Sequence, residues 1–348
     1  MKKILVCGNF GKDESISDGQ TIKTVTIYKT LTDLYGNCSV IMHNTAGGII
    51  SLISLLIKMP RYLFACDDII VLPAHNGVRL IIPLFVFFTI ALKRRVHYVV
   101  IGGWLPFFLK EKKFLRRTLK SLRGIYVETK EMHDMLLDMG FNNLYILPNY
   151  KILPVLKPCD LRINFDEDTY PLCTFSRVSK EKGIEDAINA VKTLNKKCSR
   201  TTYTLDIYGV VFDDDKLWFE KLSKSFPDYV RYMGGIPYNK STEVLKNYFA
   251  MLFPTYYNGE GLAGSIIDAF SAGLPVVASN WRYNPSLIKD KKTGLLFTTH
   301  NVSEMVDGIE YLSGNLDVYK KMRLAALEES MNYKPGEIIK VLINNFCD

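Results

Sequence analysis

The stretch PTYYNGEGLAGSIIDAFSAGLPVVAS, residues 254–279, places two carboxylates on either side of a glycine-rich turn. Glu260 precedes the turn, and Asp268 lies on a helix that we expect to begin near Ser265. A helix N-terminus has unpaired N–H groups and a partial positive charge, so it suits a diphosphate. Glycines in the turn let the backbone approach such a ligand closely. Asp268, expected in the first turn, and Glu260 are then placed to accept hydrogen bonds from sugar hydroxyls that flank one diphosphate.

The chain around this stretch alternates between short apolar segments and helical ones. Its 348 residues suit two domains. Strand and helix alternation predicts parallel sheets covered by helices on both faces. We therefore expect an α/β fold of two doubly wound, Rossmann-like domains that face a central cleft. The expected parts are a first domain at 1–150, a linker at 151–170, a second domain at 171–330, and a C-terminal helix at 331–348 that can cross back to the first domain.

Each predicted domain has six candidate strands. They occupy residues 3–8, 38–43, 68–73, 96–101, 124–129 and 144–149 in the first domain, and 172–176, 203–209, 230–235, 250–255, 274–279 and 294–297 in the second. The long apolar segment 80–92 has thirteen residues, fewer than the roughly 20 that span a bilayer. We interpret it as a buried helix, and a membrane-dipping helix is the alternative.

The net charge of +8 lies entirely in the first domain, which has 19 Lys and Arg against 11 Asp and Glu, whereas the remaining residues have 25 of each. No nucleic-acid-binding motif accompanies this charge, so we expect no nucleic acid partner. An anionic membrane surface or a phosphorylated substrate fits this charge at least as well as nucleic acid does. Residues 107–123 suggest a basic amphipathic helix for that surface, although a solvated helix face is the alternative. Seven scattered cysteines without ligand spacing indicate a reducing, cytoplasmic compartment.

The quoted stretch resembles the E-x7-E signature of the retaining GT-B glycosyltransferases of family four, and the G-G-W-L-P element at residues 102–106 resembles members of that family from bacterial polysaccharide assembly. The segment FSRVSKEKGIEDAINAV, residues 175–191, resembles the G-R-x-x-x-x-K-G element of the same family, and VRYMGGIPYN, residues 230–239, resembles its V-x-F-x-G-x-V loop. The resemblance implies that Arg177 and Lys182 bind the diphosphate of a nucleotide sugar. It also implies that Glu260 contacts the donor hexose and that Asp268, in place of the usual Glu, contacts the ribose.

By the same resemblance the donor site includes residues from five segments of the chain. These are Gly19, Arg177, Lys182, Tyr208, Gly235, Glu260, Gly261, Leu262, Ala263, Gly264 and Asp268. Glu260, Arg177 and Lys182 would be the catalytic residues. Gly19 belongs to GNFGKDESISDGQTIKT, residues 8–24, which resembles the amino-terminal glycine loop of the family.

The acceptor side is less clearly marked, because the family's His after the fourth strand is absent from YVVIGGWLPFF, residues 98–108. A G-G-W-L-P element stands there instead, and Trp104 is therefore a candidate. His75, at a predicted strand end, is a second candidate, with a loop-capping role as the alternative. The run Asp213 to Asp215 could suggest a metal-binding D-x-D, but an acidic helix N-cap explains it better.

Taken together, the sequence predicts a hexosyltransferase that needs no metal and no cofactor. It would use a nucleotide diphosphate sugar and a saccharide acceptor, which we expect to be lipid-linked, at the inner face of the cytoplasmic membrane in surface polysaccharide synthesis. A GT-B nucleotide-sugar epimerase and a nicotinamide-dependent oxidoreductase remain alternatives, although CGNFGKDES lacks the dinucleotide-binding glycine spacing.

Overall fold

The computed structural model describes residues 3–11, 18–162, 165 and 169–346. Within these residues, twelve strands form two six-stranded sheets in which every pairing is parallel. All of the predicted strands are confirmed to within a few residues at their ends. They are β1 Ile4–Gly8, β2 Val40–Asn44, β3 Asp68–Leu72, β4 Arg95–Val99, β5 Gly124–Val127, β6 Leu144–Ile146, β7 Tyr170–Phe175, β8 Tyr203–Tyr208, β9 Val230–Gly234, β10 Ala250–Phe253, β11 Val276–Ser279 and β12 Gly294–Phe297.

Helices connect the strands of each sheet. They are α1 Gly19–Tyr35, α2 Ile49–Ala65, α3 Val78–Leu92, α4 Leu105–Phe108, α5 Lys113–Lys120, α6 Lys130–Asp138, α7 Ile184–Cys198, α8 Lys216–Ser223, α9 Ser241–Leu245, α10 Gly264–Ser271, α11 Asn284–Leu287, α12 Val302–Gly314, α13 Leu316–Ser330 and α14 Pro335–Ile343. Polar residues just before three of the helices, Asp18, Thr129 and Asn301, accept a backbone N–H with their side chains and so set the helix starts.

The chain divides into two compact units. One contains Met1–Lys151 with Lys334–Asp348, and the other contains Ile152–Tyr333. In the first unit the strand order is β2-β1-β3-β4-β5-β6, and in the second it is β12-β11-β10-β7-β8-β9. These are the two common orders of doubly wound sheets, so the predicted fold class is confirmed.

The central strands of each sheet are largely apolar because both of their faces are covered. In β10, Ala250 and Leu252 belong to one apolar core of the second unit, and Met251 and Phe253 belong to the other. Alternate side chains of a strand point to opposite faces, so the two cores lie on opposite sides of the sheet. In the first unit, Ile338 and Leu342 of α14 share a core with residues of β1, β3 and α1.

The apolar segment 80–92 forms most of α3, but the prediction of a buried helix is correct for one face only. Ile82 and Phe85 are fully buried, whereas Leu80 and Phe87 are exposed. Within the described ranges, no helix is both long and apolar enough to cross a membrane.

The basic segment 107–123 is shorter as a helix than its pattern suggested. Only residues 113–120 form α5, whose Leu115 and Leu119 are buried in the first unit. Phe114 is exposed. The guanidinium of Arg116 donates to the carbonyls of Leu109 and Lys110, so this side chain closes the preceding turn.

Candidate active site

The candidate site lies in the second unit, at the point where the strand order reverses. β7 and β10 are neighbours in the sheet, and the chain leaves them toward opposite edges. Loops that diverge in this way leave a crevice at the carboxyl ends of the strands, where open α/β sheets bind ligands. The loop after β7 carries Arg177 and Lys182, and the loop after β10 carries Glu260. The topology therefore brings the two most specific sequence motifs together.

Lys182 and Glu260 form an ion pair between these two loops. Lys182 Nζ donates to Glu260 Oε2 over 2.6 Å, and Thr255 Oγ1 donates to the same oxygen over 2.8 Å. Only 10% of the lysine side chain and 9% of the glutamate side chain is exposed. Since a buried ion pair gains little net stability, its position at a strand-end crevice favours a role in binding. An anionic ligand would compete with Glu260 for the Lys182 ammonium.

Sequence analysis did not single out Thr255. Thr255 lies just after β10 and a few residues before Glu260, and this closeness to Glu260 is the signal that could have found it. The Thr255 hydroxyl is buried, and the Ser279 hydroxyl at the end of β11 donates to the Thr255 carbonyl over 2.5 Å. These bonds hold the loop that carries Glu260 against two strand ends.

Arg177 lies in the same loop as Lys182. Its Cζ atom is 5.3 Å from the ring centroids of both Phe212 and Tyr257, and Lys182 Nζ is 5.2 Å from the Tyr257 ring. Arg177 Nε is buried and has no hydrogen-bond partner among the described residues, and the same is true of the Ser179 hydroxyl. A buried polar group without a partner costs roughly 1–3 kcal/mol. The two groups are therefore available to hydrogen-bond a polar ligand or water at this loop.

Gly183 allows the two loops to approach each other. Its φ is 71°, a left-handed conformation that favours glycine. A Cβ atom at this position would lie 2.2 Å from the Pro254 carbonyl oxygen, which belongs to the loop after β10. The glycine that follows Lys182 is therefore required for the lysine to reach Glu260.

The glycine-rich turn leads into α10, which begins at Gly264. Its N-cap residue, Ala263, provides no side-chain hydrogen bond to the first turn. Gly261, Leu262 and Ala263 are buried, so the turn packs closely behind Glu260. A helix N-terminus without a side-chain cap keeps backbone donors for a ligand, which is the property on which the diphosphate prediction rests.

Asp268 does not lie in the first turn of this helix, so that part of the prediction is wrong. The helix begins one residue earlier than expected, and Asp268 is its fifth residue. The side chain is 2% exposed, and Asp268 Oδ1 accepts a hydrogen bond from Ser241 Oγ at 2.8 Å. The carboxylate therefore links α10 to the start of α9.

Tyr208 ends β8 and is also largely buried. Its hydroxyl is 2.8 Å from that of Tyr248, which donates to Asp206 Oδ2 over 2.7 Å. Burial, above all, raises the pKa values of both tyrosines, so they are neutral hydrogen-bonding groups. An open pocket of about 430 Å³ lies beside them, lined by Tyr208, Lys240, Glu243, Val244, Asn247 and Tyr248.

Gly235 follows β9 and is exposed. A Cβ atom there would lie 2.8 Å from Cγ2 of Val210, which follows β8. The loops after β8 and β9 are therefore in close contact.

The candidate site residues of the first unit lie at two separate positions in the fold. Gly19 is the first residue of α1, and residues 12–17 of its glycine loop lie outside the described residues. His75 and Trp104 do meet, with ring centroids 5.0 Å apart, and Phe108 lies 4.4 Å from the His75 ring. The Trp104 indole N–H donates to the Ile101 carbonyl, which fixes the ring. His75 is exposed, so the pair forms a small aromatic surface at the end of β3.

Another polar group at the strand ends of the first unit was not singled out from the sequence. Lys23 Nζ donates to Glu128 Oε1 over 2.5 Å and to the Val100 carbonyl over 3.0 Å. Both charged side chains are 3% exposed. Lys23 is on α1 and Glu128 directly follows β5, so the pair ties the first helix to the carboxyl edge of the sheet.

The acidic run Asp213 to Asp215 forms a single 3₁₀ turn before α8. Asp215 occupies the N-cap position, as predicted, but no side chain caps the helix. Asp213 instead pairs with Lys216 over 2.6 Å on the surface. In the part of the chain that the structure describes, no group of three or more His, Cys, Asp or Glu side chains is arranged to hold a metal ion.

Comparison with known proteins found a family model that matches the part of the chain containing this site. Residues 162–328 match the family described as Glycosyl transferases group 1. The poly(ribitol-phosphate) alpha-N-acetylglucosaminyltransferase of Staphylococcus aureus strain COL is 26% identical over 211 residues, which are 60% of this chain and 40% of that protein. The UDP-N-acetylglucosamine–peptide N-acetylglucosaminyltransferase GtfA subunit of Streptococcus agalactiae is 28% identical over 179 residues, 51% of this chain and 34% of that protein. The chain thus spans two fifths or less of these curated relatives.

A solved structure of Anabaena HepE in complex with UDP and glucose is similar over almost its whole length. The TM-score is 0.74, the similarity covers 99% of each chain, and the sequences are 15% identical. At this identity the similarity shows a shared fold, and that fold is the GT-B fold of glycosyltransferases.

Proposed function

We propose that the chain is a retaining hexosyltransferase of the family-four type, because residues 162–328 match the group 1 glycosyl transferases and the chain has the GT-B fold. It takes a hexose from a nucleotide diphosphate sugar and transfers it to a saccharide hydroxyl. The two curated relatives described above are both named as N-acetylglucosaminyltransferases, so UDP-N-acetylglucosamine is the first donor to test.

One observation carries the proposal. Lys182 pairs with Glu260 at the strand-order reversal of the second unit, Arg177 and Lys182 lie over the same Tyr257 ring, and buried Arg177 Nε has no partner among the described residues. Charge-assisted hydrogen bonds of this type suit a diphosphate. Lys182 would move from Glu260 to the donor phosphate, which would free the carboxylate to accept hydroxyl groups of the donor hexose.

The reaction exchanges one bond for another at the anomeric carbon. The bond from this carbon to the diphosphate oxygen breaks, and a bond to the acceptor oxygen forms on the same face of the sugar. The acceptor proton passes to the departing phosphate oxygen, so charge and atoms balance without a protein nucleophile. Arg177, Lys182 and the α10 N-terminus stabilise the negative charge that develops on the leaving diphosphate.

We further propose that the acceptor is a lipid-linked glycan of surface polysaccharide synthesis. The protein would then work in the cytoplasm, at the inner face of the cytoplasmic membrane. The net charge of +8 in residues 1–150 supports this location, because the cytoplasmic leaflet is anionic. His75 and Trp104 are the candidates for acceptor contact in that unit.

The transfer would need neither a metal nor a cofactor, because the two cations and the helix N-terminus supply the countercharge for the diphosphate. Transfer measured with excess EDTA should equal transfer without it. If EDTA abolishes transfer and Mg²⁺ or Mn²⁺ restores it, this part of the proposal is wrong.

The comparisons lend no support to the epimerase and oxidoreductase alternatives.

A donor screen tests the proposal directly. The protein is heated with each of several UDP and GDP sugars and with NAD, and the shift of its melting temperature is measured. Donors that stabilise it are then incubated with membrane lipid extracts, and the anomeric configuration of the product is determined by NMR. Stabilisation by NAD alone, or a product of inverted configuration, would contradict the proposal.

A further inference from the structure

The outer face of α2 is apolar although it is exposed to solvent. Ile49, Ile50, Ile53, Ile57 and Phe64 are each between 52% and 79% exposed. Positions 50, 53, 57 and 64 follow the spacing that puts side chains on one helix face. The opposite face is buried in the first unit through Leu55, Met59, Tyr62 and Leu63. The helix therefore has two apolar faces, and the protein itself covers only one.

α3 extends this surface. It packs against α2 and exposes Leu80 and Phe87, which are 60% and 75% exposed and lie two turns apart on one face. We call these seven side chains on α2 and α3 the apolar surface. Soluble monomeric proteins seldom expose contiguous apolar patches unless a partner covers them.

The charges around the apolar surface identify the kind of partner. The helices α2 and α3 contain three basic residues, Lys58, Arg61 and Arg79, and no acidic residue. Lys58 and Arg61 are exposed on α2, at the border of its apolar stripe. α5 packs against α3 and adds the exposed Phe114 within its own basic sequence. An apolar stripe on helices whose charged residues are all basic matches the boundary between headgroups and acyl chains in an anionic bilayer.

We propose that the apolar surface of α2 and α3 is the membrane-docking surface of the protein and lies in the interfacial layer of an anionic lipid bilayer. Lys58 and Arg61 contact lipid phosphates, and the isoleucines and phenylalanines enter the acyl-chain boundary. This proposal deepens the membrane association suggested under Proposed function and rests on it. In this proposal α2 and α3 enter the membrane interface, and the basic segment 107–123, whose Leu115 and Leu119 are buried, does not.

The test is binding of the full chain to vesicles of phosphatidylcholine with phosphatidylglycerol, and to vesicles of phosphatidylcholine alone, by co-sedimentation at low salt. The variant Ile53→Gln, Ile57→Gln, Phe64→Gln removes apolar area from α2. A matched control, Leu217→Gln, Leu316→Gln, Leu324→Gln, changes three exposed apolar residues of the second unit. Since all six side chains are exposed, both variants should melt at the wild-type temperature.

We expect the wild type and the control to bind the anionic vesicles equally and the α2 variant to bind about tenfold more weakly or worse, because interfacial binding scales with buried apolar area. Lys58→Glu with Arg61→Glu should remove the preference for phosphatidylglycerol. Wild-type binding by the α2 variant would overturn the proposal, as would a wild type that binds neither vesicle.

Light scattering after gel filtration tests the main alternative, in which the apolar surface is a dimer interface. If the wild type is a dimer that the α2 variant dissociates, while vesicle binding is unchanged, the surface joins two copies of the chain and the lipid assignment is wrong. The vesicle assay requires no sugar transfer. Vesicle binding without any transferase activity would therefore leave the docking surface standing and refute the proposed function alone.

Discussion

At the residue scale, Lys182 and Arg177 are expected to bind the donor diphosphate through charge-assisted hydrogen bonds. Arg177→Ala or Lys182→Ala should each remove roughly 1.5–3 kcal/mol of interaction with the diphosphate. Transfer should fall by about tenfold to a hundredfold, since 1.36 kcal/mol corresponds to tenfold in rate. The initial rate with saturating acceptor measures this change.

Lys180→Ala is the control for these variants, because Lys180 is an exposed lysine in the same 3₁₀ turn as Lys182. It should retain wild-type activity. Wild-type activity in both the Lys180 and the Lys182 variant would refute the assignment of Lys182 to the donor site, whereas an equal loss of activity in both would point to a general effect of positive charge.

The buried Lys23–Glu128 pair gives a second prediction at this scale. Lys23→Met leaves Glu128 buried without its ammonium partner, and breaking a buried pair in this way costs about 3–5 kcal/mol. The double variant Lys23→Met, Glu128→Leu should regain most of the loss, because no charge then remains buried. Urea unfolding of the two variants and the wild type measures the difference, and equal stability of the single and double variants would contradict it.

At the scale of elements, the connection from β7 to α7 depends on Gly183. Gly183→Ala should destabilise the second unit by at least about 1–3 kcal/mol, because a left-handed residue must carry a Cβ atom against the Pro254 carbonyl. The loop with Lys182 would move away from Glu260, so donor binding should weaken as well. Thermal unfolding with and without donor measures both effects.

Gly336→Ala is the matched control for this substitution. Gly336 lies in the first turn of α14, and a Cβ atom there has no neighbour within 4 Å. Alanine is the better helix former by up to about 1 kcal/mol, so this variant should be as stable as the wild type or more so. If the Gly183→Ala protein is as stable as the Gly336→Ala protein, the prediction is wrong and the loop accommodates the added Cβ atom without a loss of stability.

At the scale of the whole molecule, stability should depend on pH through the network around His97 in the first unit. His97 is fully buried, with its ring nitrogens 2.9 Å from the Tyr126 hydroxyl and 3.0 Å from Asp68 Oδ1. Burial lowers the pKa of His97 below its usual 6.5, although the Asp68 carboxylate acts in the opposite direction and Arg95 and Arg123 act with burial. The folded protein therefore holds a neutral imidazole where the unfolded chain would bind a proton.

The sign of the pH effect follows from this difference. As the pH falls below about 6.5, the unfolded state takes up a proton that the folded state excludes, so the free energy of unfolding decreases by at most about 1.4 kcal/mol per pH unit. Urea unfolding at pH 7.5 and pH 5.5 should show this decrease in the wild type and a smaller one in His97→Gln. Parallel pH profiles of the two proteins would exclude His97 as the source.

The sequence by itself determined the strands and the doubly wound fold class, and it marked the residues of the proposed donor motifs. These features are local: apolar runs separated by helical segments specify parallel sheets, and the spacing from Arg177 to Lys182 or from Glu260 to Asp268 lies within one loop and helix. One-residue shifts of a helix start are the error such reasoning makes, as at Asp268.

Only the tertiary structure decided which distant residues meet and which apolar faces are covered. The contact of Lys182 with Glu260 joins loops 78 residues apart, and it depends on β7 and β10 being neighbours in the sheet. The pairing of Lys23 with Glu128 spans 105 residues. Apolar periodicity shows that a helix has an apolar face, but α2 and α3 are apolar on two faces and α5 turns its leucines inward. Which face the protein buries is set by packing against the rest of the unit, and no local pattern in the sequence contains that information.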